Sequence, residues 1–470
     1  MELPITIFLM ISFFIGVHAS GRIKGKVKNF YIAGNIIPFW VLALSLTGQA
    51  IEMGGTQDNA TFAISSGFWA GAILPIGIGM SLLILGFFFA KPLHDMKLMT
   101  LPDFYFRKFG KWVELLASII SVTGMIILLA GNLAGIGILL NYALGVDPIP
   151  AMIVIAVIVM IYTTAGGLFA VTWNDVLHVS VMFIGFTAAL VWIIANNDTS
   201  VLVNVISEKF SWEPFYKSEQ GALLTWASLL ALALGDVVAL DFMERIFAAK
   251  TADYARKSCL LSGGITIFVG IAFALLGIMA TLYIEDGATG NVFLNFVRDS
   301  LPVGIGTMVF MGLIAACIST LDGATMACST VITKNIIQSQ FPNLVPKRQL
   351  LFFSRFACLP VTIIAIIIAI INPVPGDLLI LAFDVVFAGL FVPLTLGIYW
   401  KKSNKYAALI SIIVASTARI ILQFVIPEDL AGLATLIPPV LSLITFVSIS
   451  LFLDKKTLPE NEVTAYPARG

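Results

Sequence analysis

Between Phe39 and Ser65 the chain reads FWVLALSLTGQAIEMGGTQDNATFAIS. Gln49, Glu52, Gln57, Asp58 and Asn59 interrupt an apolar run, and Gly48, Gly54 and Gly55 loosen any helix through it. Hydrocarbon satisfies neither a freed backbone carbonyl nor a carboxylate. Such a stretch is stable only inside protein or beside a water-filled cavity. Carbonyls released by a broken helix, with carboxylates beside them, bind cations and polar solutes.

A second polar stretch has the complementary chemistry. In LIAACISTLDGATMACST (313–330), Ala316, Ser319, Thr320 and Gly323 share one helical face. A hard monovalent cation needs several oxygens, and broken-helix carbonyls plus two hydroxyls supply them. The same hydroxyls also suit bonds to their own preceding turn, which tighten helix packing. Glu52 and Asp236 fall well inside apolar spans, each at a break, where a carboxylate must be paired, ion-bound or protonated. Both are expected to face a central cavity. Asp384 poses the same question with less context, and Asn132 is either a cavity group or an interhelical hydrogen-bonding residue. Asp175 opens a span, where a solvated helix-start carboxylate is the simplest reading.

These residues need a membrane scaffold to hold them. The 470 residues are 59% apolar and only 11% charged, too little charge for a soluble chain of this length. Thirteen apolar runs are expected to span the bilayer, near 3–19, 36–62, 68–90, 112–140, 151–166, 172–195, 221–247, 258–284, 303–337, 350–371, 377–399, 405–426 and 431–453. The predicted fold is therefore an all-α polytopic membrane protein forming one transporter domain over 1–470. The run at 3–19 carries Glu2 before it and the basic GRIKGKVK after it, so it reads as a span and not a signal peptide. With the N-terminus outside, 23 of the 27 basic residues fall on the inner side; Lys209, Lys217 and Arg298 lie outside and Arg419 within a span. The C-terminal tail, 454–470, is then cytoplasmic.

Breaks at Gly48-Gln49 and at Leu234-Gly235-Asp236 lie five spans apart, a pattern suited to a transporter with inverted repeats. Zinc-protease, phosphate-loop and serine-hydrolase motifs are absent, and the three histidines are scattered, so an enzyme is not expected. No cofactor is expected beyond a coupling ion, and no basic tract suggests a nucleic-acid partner. Cys259, Cys317, Cys328 and Cys358 lie in apolar runs and read as packing residues.

Four segments carry a family resemblance. TAGGLFAVTWND (164–175) resembles the GG-x-x-A-V-x-x-x-D stretch of the sodium/solute symporter family, and AACISTLD (315–322) resembles its A-A-x-x-S-[ST] sodium motif. FAKP (89–92) with TLPD (100–103) resembles the family's loop after the third span, and RIFAAK (245–250) its QR-x-x-A-A-K. Within the family the chain resembles the sodium–proline and choline branches. The resemblance implies two inverted five-helix repeats (36–195 and 221–399), an extra N-terminal helix and two C-terminal helices (405–453). It implies a sodium site of the Gly48, Ile51 and Ala316 carbonyls with the Ser319 and Thr320 hydroxyls. Asp175 matches an acidic position near a second cation route, and substrate would lie near Gln49, Glu52, Gly54, Asn132 and Asp236. Departures exist: the tryptophans of a choline cage are missing from the break, Glu244 replaces the usual Gln, and Asp322 with Gly323 stands where some members use hydroxyls for a second sodium.

The expected function is sodium-coupled symport of a small organic solute by alternating access in the cell membrane, with an ammonium-bearing solute favoured by Glu52 and Asp236. A solute sensor on the same scaffold, a passive channel and proton coupling through the same carboxylates are the other readings.

Overall fold

The computed structural model describes residues 1–284, 290–343, 345–427 and 430–454. The expected tail beyond Asp454 lies outside the described residues. Among them the chain is helical, with no strand beyond one isolated bridge between Ile37 and Ala249. Ten helices among the described residues are long and apolar enough to cross a bilayer. The expected thirteen crossings would be reached by adding a bent pair, a broken helix and a second crossing inside one very long helix.

The first helix, α1, spans Glu2–His18. The broken segment follows as α2 (Phe39–Ala50) and α3 (Asn59–Ser66), and then α4 (Phe68–Ile84). Next come α5 (Leu101–Phe109), α6 (Lys111–Leu144) and α7 (Pro148–Ala195). At 48 residues α7 is about 70 Å long, more than twice a hydrocarbon core. It divides at Gly167, whose φ of 54° no ordinary side chain adopts cheaply and whose missing Cβ admits the Phe30 carbonyl. Beyond it lie α8 (Ala222–Leu230), α9 (Leu240–Ala248), α10 (Ala252–Ala280), α11 (Val303–Val331), α12 (Leu350–Ile371), α13 (Pro375–Tyr399), α14 (Lys405–Val425) and α15 (Gly432–Asp454).

The broken α2 sits in the middle, packed on α7, α10 and α11. Large apolar side chains such as Phe88, Ile364, Ile371 and Phe424 stay exposed on the periphery, as a surface solvated by lipid requires. The seventh expected span is loosened over Ala231–Gly235 and turns at Ala239 (ψ 131°), which bends Ala222–Val238 against α9 by 43°. Its break thus lies a few residues beyond Gly235.

Asp384 does not face the central break. Its Oδ2 accepts hydrogen bonds from Arg419 Nη2 and Thr435 Oγ1, both at 2.8 Å, so a buried ion pair ties α13 to α14 and α15. Removing one partner leaves the other charged and desolvated. Asp384→Ala is expected to lower stability by about 3 kcal/mol. The pair Asp384→Leu with Arg419→Leu should recover most of that, as read by thermal unfolding of the purified protein.

A polar cluster joins α5, α6 and the residues that follow α11. There Lys334 pairs with Asp103 on α5, Asn335 Nδ2 donates to Asp103 (3.0 Å) and Glu114 (2.9 Å), and Thr100 Oγ1 donates to Asn335 (2.8 Å). Arg107 and Lys334 line a cavity of about 570 Å3 beside these groups. Burial alone pushes the Asp103 carboxyl up. The Lys334 ammonium and hydrogen bonds from Lys334, the Met99 N–H and Asn335 outweigh it and hold the group below its ordinary range.

Candidate functional site

Helix α2 ends at Ala50, and Ile51 leaves helical geometry with φ −105° and ψ 87°. The chain resumes as a wide π-helical turn over Gly54–Asp58 before α3. The break therefore falls just after the expected Gly48-Gln49 position. Gly48 is where α2 meets α7 and α11: a Cβ there would lie 2.8 Å from Ser319 Oγ and 3.5 Å from Asp175 Cβ. Only glycine allows that approach.

Ser319 Oγ leaves its own helix and donates to Asp175 Oδ1 at 2.5 Å. Gln49 Nε2 donates to the Ser319 carbonyl, to Ser319 Oγ at 3.0 Å and to Asp175 Oδ1 at 3.3 Å. An amide with partially positive hydrogens is thus ringed by oxygens from two neighbouring helices. Thr320 instead bonds its own preceding turn, at the Ala316 carbonyl (3.4 Å). Of the two hydroxyls, only that of Thr320 makes the expected bond to its own preceding turn.

Asp175 is not a solvated helix-start group. It is fully buried inside α7 and paired with the fully buried Arg245 at 3.0 Å. Arg245 also donates to Ser45 Oγ (2.8 Å) and to the Asp241 carbonyl (3.0 Å), while Ser45 donates to Asp175 Oδ2. A guanidinium and two hydroxyls offset part of the desolvation cost of a carboxylate at this depth.

Glu52 and Asp236 have neutral hydrogen-bond partners. Asn132 Nδ2 donates to Glu52 Oε2 at 3.0 Å, and Asn132 Oδ1 accepts from the Met53 N–H at 3.4 Å, so Asn132 makes interhelical hydrogen bonds from α6 to the break. Ser81 Oγ donates to Asp236 at 3.2 Å. Both carboxylates are buried, and neither has a basic partner within salt-bridge distance among the described residues. Gly54 lies against Leu379, and Gly135 against Met53, which closes the space around the break.

Asp322 lies one turn beyond Ser319 on α11 and accepts from Tyr162 Oη at 2.7 Å. His178, one turn along α7 from Asp175, shares a 2.9 Å hydrogen bond with Ser12 of α1. One ligand atom from each of Asp175, His178 and Asp322 lies within 4.8 Å of the others, and all three residues are buried. These are groups able to hold a cation. Asp322 Oδ1 and His178 Nδ1 have no hydrogen-bond partner here.

The sequence matches the Sodium:solute symporter family over residues 30–415. This chain belongs to that family. The High-affinity choline transporter 1 of Torpedo marmorata is 24% identical over 441 residues, covering 88% of this chain and 75% of that one. The Sodium/glucose cotransporter of Vibrio parahaemolyticus is 25% identical over 473 residues, covering 89% and 84%. The fold matches a substrate-bound, outward-open Na+-coupled sialic acid symporter with a TM-score of 0.82 at 17% identity, over 95% of this chain and 96% of that one. MhsT in complex with L-phenylalanine matches more loosely, with a TM-score of 0.55 at 14% identity over 88% of this chain and 99% of that one. The protein is thus a multi-pass membrane transporter of the sodium:solute symporter family, whose members are not enzymes.

The symporter's polar centre includes residues that spacing did not single out. Ser12, Ser45, Tyr162 and His178 reach it from α1, α2 and α7. Ser45 sits one turn before Gln49 on the α2 face, and His178 one turn after Asp175, so helical periodicity from those residues would have found both. Nothing in the local sequence marks Ser12 or Tyr162.

Proposed function

We propose that this symporter moves a small organic solute bearing an ammonium group, together with sodium, by alternating access. The observation that carries the solute class is the pair of buried carboxylates at the two helix breaks, Glu52 and Asp236, which among the described residues accept side-chain hydrogen bonds from Asn132 and Ser81. A buried negative charge without a cation is expensive, and a bound ammonium would neutralise it. Choline carries an ammonium, and choline transporters are among the relatives. The absence of tryptophan from residues 49–59 favours an amine able to donate hydrogen bonds over a quaternary one.

The coupling ion is sodium, held by the Gly48, Ile51 and Ala316 carbonyls with the Ser319 and Thr320 hydroxyls. Gln49 swings away to admit it, since its amide now stands among oxygens of that region. Asp175 and Asp322 serve a second cation, and solute binds near Gln49, Glu52, Gly54, Asn132 and Asp236 once Leu379 withdraws from Gly54. The repeats 36–195 and 221–399 move against each other, with α1 and the last two helices outside them. By the positive-inside expectation the side carrying most of the basic residues, and with it the C-terminus, is cytoplasmic, and the N-terminus lies outside the cell membrane.

Glu52→Gln tests the solute class. It is expected to weaken uptake of a charged amine by about 2 kcal/mol or more, roughly thirtyfold in half-saturation. Uptake of neutral solutes should not weaken with it. Competition uptake in proteoliposomes with amines, sugars and carboxylates measures this. A preference for sugars or carboxylates that Glu52→Gln leaves unaltered would overturn the ammonium assignment. Transport needing neither sodium nor saturation would overturn symport itself.

A further inference from the structure

A groove of about 930 Å3 runs between α1 and the neighbouring stretch of α7, on the outside of the bundle. Phe14, Val17 and Leu177 contribute apolar wall, and His18, Arg22 and Trp173 line it as well. The Arg22 guanidinium lies 5.3 Å from the Trp173 ring centroid and 5.8 Å from that of Phe169. Arg22 is exposed, and no carboxylate pairs with it among the described residues. Its ring contacts hold the guanidinium plane while its N–H fork remains free for an anion. Lys24, Lys26 and Lys28 follow within two turns' worth of chain, all exposed.

Phe14 lies eight residues from Arg22 on the α1 side, about 12 Å at helical rise, and Ser180 seven residues from Trp173 on α7, about 10 Å. The groove therefore joins a cationic mouth to an apolar trough directed along the helices. Trp and Arg at such a mouth occupy the depth of lipid headgroups. A planar guanidinium matches a phosphodiester with two parallel hydrogen bonds, and a basic segment beside it adds attraction for a headgroup of net negative charge.

We propose that this groove is a binding site for one anionic phospholipid, with an acyl chain lying between α1 and α7 and the phosphodiester on Arg22. A zwitterionic lipid offers the same chain but cancels the field of the lysines with its own ammonium, so charge decides the occupant. The site joins the extra N-terminal helix to α7, the helix that carries Asp175 and His178, and is independent of which solute is transported.

Native mass spectrometry of the full chain in detergent tests it, with phosphatidylglycerol or phosphatidylcholine of identical chains added. Wild type should retain one phosphatidylglycerol about tenfold more strongly than phosphatidylcholine. R22A should reduce that to the phosphatidylcholine level, and R298A, which changes an arginine in another part of the bundle, should not. Equal retention of the two lipids, no loss in R22A, or loss in R22A of a dimer in place of a lipid adduct would overturn the proposal. Should R22A fail to fold, tryptophan quenching of the wild type decides. Brominated phosphatidylglycerol should quench more than brominated phosphatidylcholine, and W173F should remove the difference. No difference, or one that survives in W173F, would overturn it.

Discussion

Alanine at both Ser319 and Thr320 is expected to abolish sodium-driven accumulation while leaving a folded protein. A hydrogen bond or ligand bond to a charged group contributes about 1.5–3 kcal/mol, so losing two oxygens weakens sodium by about 3 kcal/mol or more, over a hundredfold. Half-saturation would then lie beyond any usable sodium concentration. Both residues are small and fully buried in a helix face whose backbone bonds do not depend on them, so the fold has little reason to fail. The single changes should differ. Ser319 also donates to Asp175 and accepts from Gln49, whereas the Thr320 hydroxyl is occupied with the Ala316 carbonyl at 3.4 Å. Ser319→Ala should therefore remove more of the sodium response than Thr320→Ala. Gradient-driven uptake in proteoliposomes and sodium-induced thermal stabilisation read the effect independently. Accumulation preserved in the double variant would sink the proposed site.

How much of this was legible depends on whether the signal is local. Polar residues in an apolar run announce themselves, so Gln49, Glu52 and Asp236 could be placed at breaks by type alone. The exact turn could not, because Ile51 leaves the helix two residues after Gln49, and it is side chains on α7 and α11 that engage Gln49 there. Likewise the gap between expected spans at 166–172 contains Gly167, yet no sequence rule states that Phe30 will press against it. Asp384 and Arg419 were each conspicuous as charges in spans. Their pairing across 35 residues belongs to tertiary packing. Asp175 misled for the same reason: at the start of an apolar run it reads as solvated, and only the arrival of Arg245 from 70 residues away makes it a core group. Tyr162 with Asp322, and Ser12 with His178, are separated by 160 and 166 residues and had no local signature.

Arg245→Ala should have the other large effect, and its sign under sodium is informative. Asp175 and Arg245 are both fully buried, so removing the guanidinium strands a carboxylate; breaking such a pair typically costs about 3–5 kcal/mol. Thermal unfolding without sodium should show that loss, and Arg245→Met combined with Asp175→Asn should restore much of it by removing both charges. Sodium separates a structural ion pair from a cation-handling one. If Asp175 belongs to the cation region with Ser319, a stranded Asp175 attracts sodium more strongly, and sodium should stabilise Arg245→Ala by a wider margin than wild type. A purely structural Asp175 would leave the sodium increment unchanged. In the double variant the increment should shrink below wild type, since Ser319 would then face an amide in place of a carboxylate. Adding the single variants Arg245→Met and Asp175→Asn in the same buffer closes a mutant cycle with wild type and the double variant, and a sodium increment that Asp175→Asn leaves unchanged would remove Asp175 from the transport machinery.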